Sequence, residues 1–261
     1  MKRTLVRALL AVVLLLSPAP SLHRTSTASL GSNDHNDTMI QTTSNAVHVT
    51  RTTETSWDMM DLTFDRVHEG VQITGMYRSS KGGELTYRAQ MTRSEGYVEI
   101  SNVQERFTVC FVRRDAREGA YTQLVSVGFG DRVIAVDEQQ LERNLPSLVQ
   151  IAEALAQSRM LPTILDVQSL IWTAREKSAQ SSEKKARNTS LGFVREVLAA
   201  GCGFECIDCG ISLAAYGLSI ASLFAACGAS FGAGCVLAVV EGRLAAISIV
   251  LSCADCIDCL F

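Results

Sequence analysis

Along the chain the spacing of apolar and polar positions changes character three times. From residue 46 to about 137 the two alternate in short runs, namely AVHVTRTT, LTFDRV, VQITGMYR, GELTYRAQM, GYVEISNV, RFTVCFVRR, YTQLVSVGF and DRVIAVD. These runs are rich in β-branched and aromatic residues and are separated by turn residues such as Lys81-Gly82-Gly83 and Glu95-Gly96. Alternation with a period of two puts successive side chains on opposite faces, which predicts strands joined as hairpins. From 138 to 178 the period lengthens to that of a helix, with Leu141, Leu145, Leu148, Ile151, Ala152 and Leu155 on one face. Pro162 lacks a backbone donor and is expected to break that run, after which TILDVQSLIWTAREK continues as a second helix.

Two polar stretches punctuate this order. Residues 29–45 are rich in Ser, Thr, Asn and Asp with no apolar period, and are expected to be a flexible segment. SAQSSEKKARNTS (178–190) reads as a linker or, equally, as a solvated extension of the preceding helix. Its Lys184-Lys185-Ala186-Arg187 core suits a trypsin-like processing protease.

The third change comes after 190. ISLAAYGLSIASLFAAC (211–227) and CVLAVVEGRLAAISIVLSC (235–253) read as two apolar, Ala-rich helices, and the glycine-rich GASFGAG between them as a turn. Residues 201–261 carry Glu205, Asp208, Glu241, Asp255 and Asp258 against a single basic group, Arg243. Cys209 to Cys227, and Cys235 to Cys253, each span about 27 Å at 1.5 Å per residue, close to the ~30 Å of a bilayer's hydrocarbon core. That leaves two settings for the apolar segment, a membrane or the underside of the β-rich domain. The fold class expected is α+β: a signal at 1–28, the flexible segment 29–45, a β-rich domain with C-terminal helices over 46–177, the linker 178–190, and a cysteine-rich apolar helical hairpin at 191–261.

Composition and charge narrow the chemistry. With 261 residues and a net charge of -3, no basic stripe marks a nucleic-acid surface. Lys2, Arg3 and Arg7 followed by ALLAVVLLL (8–16) and small residues form an export signal, with cleavage expected after Ser21 or Ala28. No twin-arginine pair is present, which favours the general secretory route. The expected location is extracellular, with association to a membrane left open. No catalytic motif stands out, and an enzyme is not expected. The four histidines, His23, His35, His48 and His68, show no metal-ligand spacing to one another, so neither a metal nor a cofactor is expected.

Eight of the nine cysteines lie in the last sixty residues, and CIDC occurs twice there, at 206–209 and 256–259. Zinc would need closer pairs, and a thioredoxin-like dithiol would need a strand before it and a helix after it. Outside the cytosol thiols tend to oxidise, and the spacing suits disulfides. If the apolar helices fold back about Phe231, three pairs are equidistant from it: Cys227 with Cys235, Cys209 with Cys253, and Cys206 with Cys256. Cys202 with Cys259 misses by one residue. Eight cysteines allow on the order of a hundred pairings, and this nested ladder is the one that an antiparallel hairpin favours. The remaining Cys110, inside an apolar strand, is expected to be a free, unreactive thiol.

GCGFECIDCG, CGASFGAGC and SCADCIDC, following an export signal and a polar linker, resemble the halocin precursors of the C-eight type, a family of secreted antimicrobial proteins. The resemblance covers about 200–261. It implies that the C-terminal peptide is released by a processing protease as a bacteriocin. It also implies contact between the peptide and an N-terminal immunity domain, and a target-cell membrane as the peptide's site of action. The alternative of a different class is a membrane-anchored extracellular protein, with the stapled hairpin as anchor and the β-rich domain binding a partner.

Overall fold

The computed structural model describes residues 37–43, 46–67, 70–116, 119–136, 139–188 and 203–241. The export signal, three of the four histidines, and Cys202, Cys253, Cys256 and Cys259 lie outside these residues.

Nine strands follow one another as a simple antiparallel meander: β1 (Asp37–Thr42), β2 (Ala46–Thr52), β3 (Trp57–Val67), β4 (Gly70–Ser79), β5 (Glu84–Thr92), β6 (Glu95–Ser101), β7 (Arg106–Ala116), β8 (Gly119–Phe129) and β9 (Arg132–Ala135). Eight of them coincide with the eight alternating runs. β1 corrects the flexible segment, because residues 37–42 pair along their length with β2, Thr38 and Ile40 turn inward, and Ile40 packs on the core. The alternation is one apolar residue deep there, too short to register as a strand. β3 also begins five residues earlier than its run, since Asp58 at that end is buried as a polar partner rather than as an apolar one.

Three helices cover one face of the sheet. α1 (Leu141–Ala156) buries Leu141, Leu148, Ile151, Ala152 and Leu155, with Leu145 packed at the margin. α2 (Met160–Asn188) places Pro162 in its first turn, where a missing backbone donor costs nothing, so the proline opens this helix rather than breaking it. Its backbone stays helical through residue 188, so 178–188, read as a linker or a helix extension, is the extension. α3 (Gly203–Ala226) leads through a π-helical turn (Cys227–Phe231) into α4 (Gly232–Glu241). The class is α+β.

A buried polar cluster fastens α2 to the sheet. Asp58 accepts hydrogen bonds from Arg51 Nε (3.0 Å), Arg51 Nη2 (2.6 Å) and the Tyr77 hydroxyl (3.0 Å). Arg51 Nη1 donates to Ser169 Oγ of α2 at 3.0 Å. Burial first, then the bond to Asp58, hold the Tyr77 hydroxyl far above its usual range, so it stays a donor.

Candidate functional site

The covered face of the sheet forms a cradle, and α3 lies in it. α2 packs against β1, β2 and β5, α1 against β8 and β9, and α3 between them touches β3, β5 and β6 as well as both helices. One hydrophobic core therefore runs from Val47 and Leu62 of the sheet through Leu170 of α2 to Leu213, Ile220 and Phe224 of α3.

Glycines let the helix come this close. A Cβ on Gly210 would lie 1.9 Å from the Phe64 ring, and one on Gly217 would lie 2.4 Å from Val98 Cγ1. The two are seven residues apart, two turns of helix, so they face the sheet along one stripe. Aromatic contacts continue that stripe. Tyr216 meets Phe111 edge-on with centroids 5.2 Å apart, and Phe224 meets Phe107 at 6.4 Å. Overpacking of this kind costs about 1–3 kcal/mol. Gly210→Ala and Gly217→Ala are each expected to lose about that much, read as a lower urea midpoint of the full chain.

Polar fastening of α3 is sparse. The Tyr216 hydroxyl shares a buried hydrogen bond with Thr122 Oγ1 at 3.2 Å, and Gln168 Nε2 of α2 donates to Ser219 Oγ at 3.4 Å. Burial pushes the Tyr216 hydroxyl up to about 12, while the bond to Thr122 acts in the opposite sense. The hydroxyls of Ser212 on α3 and Tyr87 on the inward side of β5 are buried without a hydrogen-bond partner. An unmet buried hydroxyl costs about 1–3 kcal/mol.

The expected disulfides are partly in view. Cys227 and Cys235 are joined across the π turn, with Cα atoms 5.3 Å apart, within the range a disulfide requires. The turn expected at GASFGAG is π-helical over Cys227–Phe231. It ends at Gly232, whose φ of +61° suits a residue without Cβ. Cys209 is buried and disulfide-bonded. The side chain of Cys206 lies outside the described residues, as do Cys202, Cys253, Cys256 and Cys259, the remaining cysteines of the three outer pairs. Cys110 is a free thiol, partly buried on β7.

Among the described residues one helical stretch, Cys209–Ala229, is long and apolar enough to cross a membrane, and 78% of its apolar window is buried inside the protein. Of the apolar segment, Cys209, Leu213, Ile220, Phe224, Val236 and Val239 are among the residues that belong to the core beneath the sheet.

Alternation identifies Phe64, Val98, Phe107, Phe111 and Thr122 as inward-facing, but it does not say what they face. The signal that could have found their partner is the seven-residue spacing of Gly210 and Gly217 on an otherwise bulky apolar helix. No protein-family model, curated protein or solved structure matches the chain.

Proposed function

We propose that this chain is the secreted precursor of a cysteine-rich, halocin-like antimicrobial peptide. The peptide acts on the membrane or envelope of competitor cells, and the chain is not an enzyme. The sheet, α1 and α2 serve as the holder of the peptide, and cleavage between about 178 and 201 releases it. One observation carries this reading: a helix apolar and long enough to span a bilayer is buried in a cradle made by the N-terminal residues. A free apolar helix of this length would aggregate or insert wherever it was made. Burial until release is a reason for the cradle and the helix to be encoded in one chain.

Two further features support separability. α3 is held by apolar contact and by a few hydrogen bonds, and Ser212 lacks a partner. The Cys227–Cys235 bond closes the end of α3 with both of its cysteines inside the C-terminal segment. The alternative, a surface protein anchored by this segment, draws on the same spanning length. It requires α3 to leave a core in which Leu213, Ile220 and Phe224 are fully buried.

Mass spectrometry of culture supernatant, with and without reduction, tests the reading. The expected product is an oxidised, cysteine-rich C-terminal peptide whose mass rises on reduction. Intact precursor found only at the cell surface would establish the anchor instead.

A further inference from the structure

The opposite, solvent-facing side of the sheet carries a constellation unrelated to the cradle. His48 and Thr50 stand two residues apart on β2 and so share that face. His48 Nδ1 is hydrogen-bonded to Asp61 Oδ1, its direct cross-strand neighbour on β3. Because an ionised carboxylate can only accept, Nδ1 carries a proton in this bond, and in the neutral ring Nε2 presents its lone pair. Thr50 Oγ1 and Nε2 share a hydrogen bond of 2.7 Å, in which the hydroxyl donates to the neutral ring. Thr50 is in turn paired with Met39 on β1 and with Met59 on β3. Directly opposed residues have Cβ atoms about 4.5–5.5 Å apart, so a methionine flanks Thr50 on each side.

The line Thr50–His48–Asp61 has the connectivity of a hydrolytic triad, but β2 lies between two paired strands. Its amides are committed to the ladders, which leaves no backbone donor there for an oxyanion. The two thioethers indicate a different use. Sulfur of methionine and nitrogen of imidazole are soft or borderline donors that select monovalent copper over zinc, magnesium or calcium. The two thioethers carry no charge, which further disfavours a divalent ion. The bond from Nδ1 to Asp61 is the outer-shell contact that fixes the tautomer and orientation of a metal-binding histidine.

We propose that Met39, Met59 and His48 form a surface site for a soft monovalent cation, Cu(I), with Asp61 as the positioning residue. On binding, the Thr50 hydroxyl turns away from Nε2, and the cation takes its place between the two sulfurs. Met39 is 49% exposed and Met59 partly so, which leaves the site open to an ion from solution. The Gln41 amide donates weakly to Met39 Sδ at 3.7 Å, and sulfur keeps a second lone pair for the cation.

Ag(I), a redox-inert probe of the same softness, tests the site in the full oxidised chain bearing Cys110→Ser, so that no described free thiol competes. One Ag(I) per chain is expected, with shifts confined to the methyl signals of Met39 and Met59 and the imidazole nitrogens of His48. Met39→Leu and Met59→Leu, both on the outer face, are expected to weaken binding at least tenfold with circular dichroism unchanged. Asp61→Asn is expected to weaken it about 10–100-fold. Absence of stoichiometric binding overturns the proposal. So does binding that Met59→Leu and His48→Ala leave intact, or displacement of Ag(I) by an equal concentration of Zn(II).

Discussion

Replacing Phe224 by Ala is expected to lower the stability of the whole chain by about 3–5 kcal/mol. Phe224 is fully buried and packs on Phe107 of β7, so truncation leaves a cavity at the junction of α3 with the sheet. Both tryptophans, Trp57 on β3 and Trp172 on α2, lie outside the C-terminal segment. Tryptophan fluorescence therefore reports the sheet and α2, and the substitution is made in α3. At roughly 2–4 °C per kcal/mol for a chain of this size, the thermal midpoint should fall by about 10 °C or more. The same truncation would leave the fluorescence transition in place if the peptide and the sheet were independent units. Val125→Ala on the outer face, where Val125 is 40% exposed, is the control, expected to change stability by no more than about 0.5 kcal/mol.

Asp58→Ala is expected to cost about 3 kcal/mol, by a different physical route. The carboxylate receives both Arg51 donors and the Tyr77 hydroxyl. Its removal leaves a guanidinium only 19% exposed without its counter-charge, and a buried phenol without an acceptor. Breaking one side of such a pair costs more than the pair itself contributes, because the remaining charge is desolvated for no return. Arg51 also reaches Ser169, so the loss should loosen α2 as well as the first strands. Hydrogen exchange resolves this. Amides of β2, β3 and the middle of α2 should lose protection together, while those of β7 and β8 keep theirs.

How far the sequence reveals this molecule depends on how much of each signal is local. Eight strands were legible because a half-buried strand alternates residue by residue, and the face of α1 because its leucines repeat with the helical period. β1 was not, since only Thr38 and Ile40 turn inward and Thr carries little apolar signal. Pro162 was misjudged as a stop because a proline reads the same from sequence in the first turn as after the last. The Cys227–Cys235 pair followed from symmetry about Phe231, a property of the chain alone. The cradle did not, because contacts between Gly217 and Val98 or between Tyr216 and Thr122 join residues roughly a hundred positions apart. The outer-face cluster was invisible for the same reason. His48 has no ligand-like neighbour along the chain, and its companions arrive only through the register of β1, β2 and β3.

Everything proposed for the C-terminal segment rests on α3 lying against the sheet in water. Nuclear Overhauser contacts in the full-length, non-reduced chain without detergent test that placement most directly. Cross-peaks are predicted between the Gly210 α-protons and the Phe64 ring, and between the Gly217 α-protons and the Val98 methyls. Absence of both, with α3 amides protected only once micelles are added, would contradict the account and place the helix in lipid.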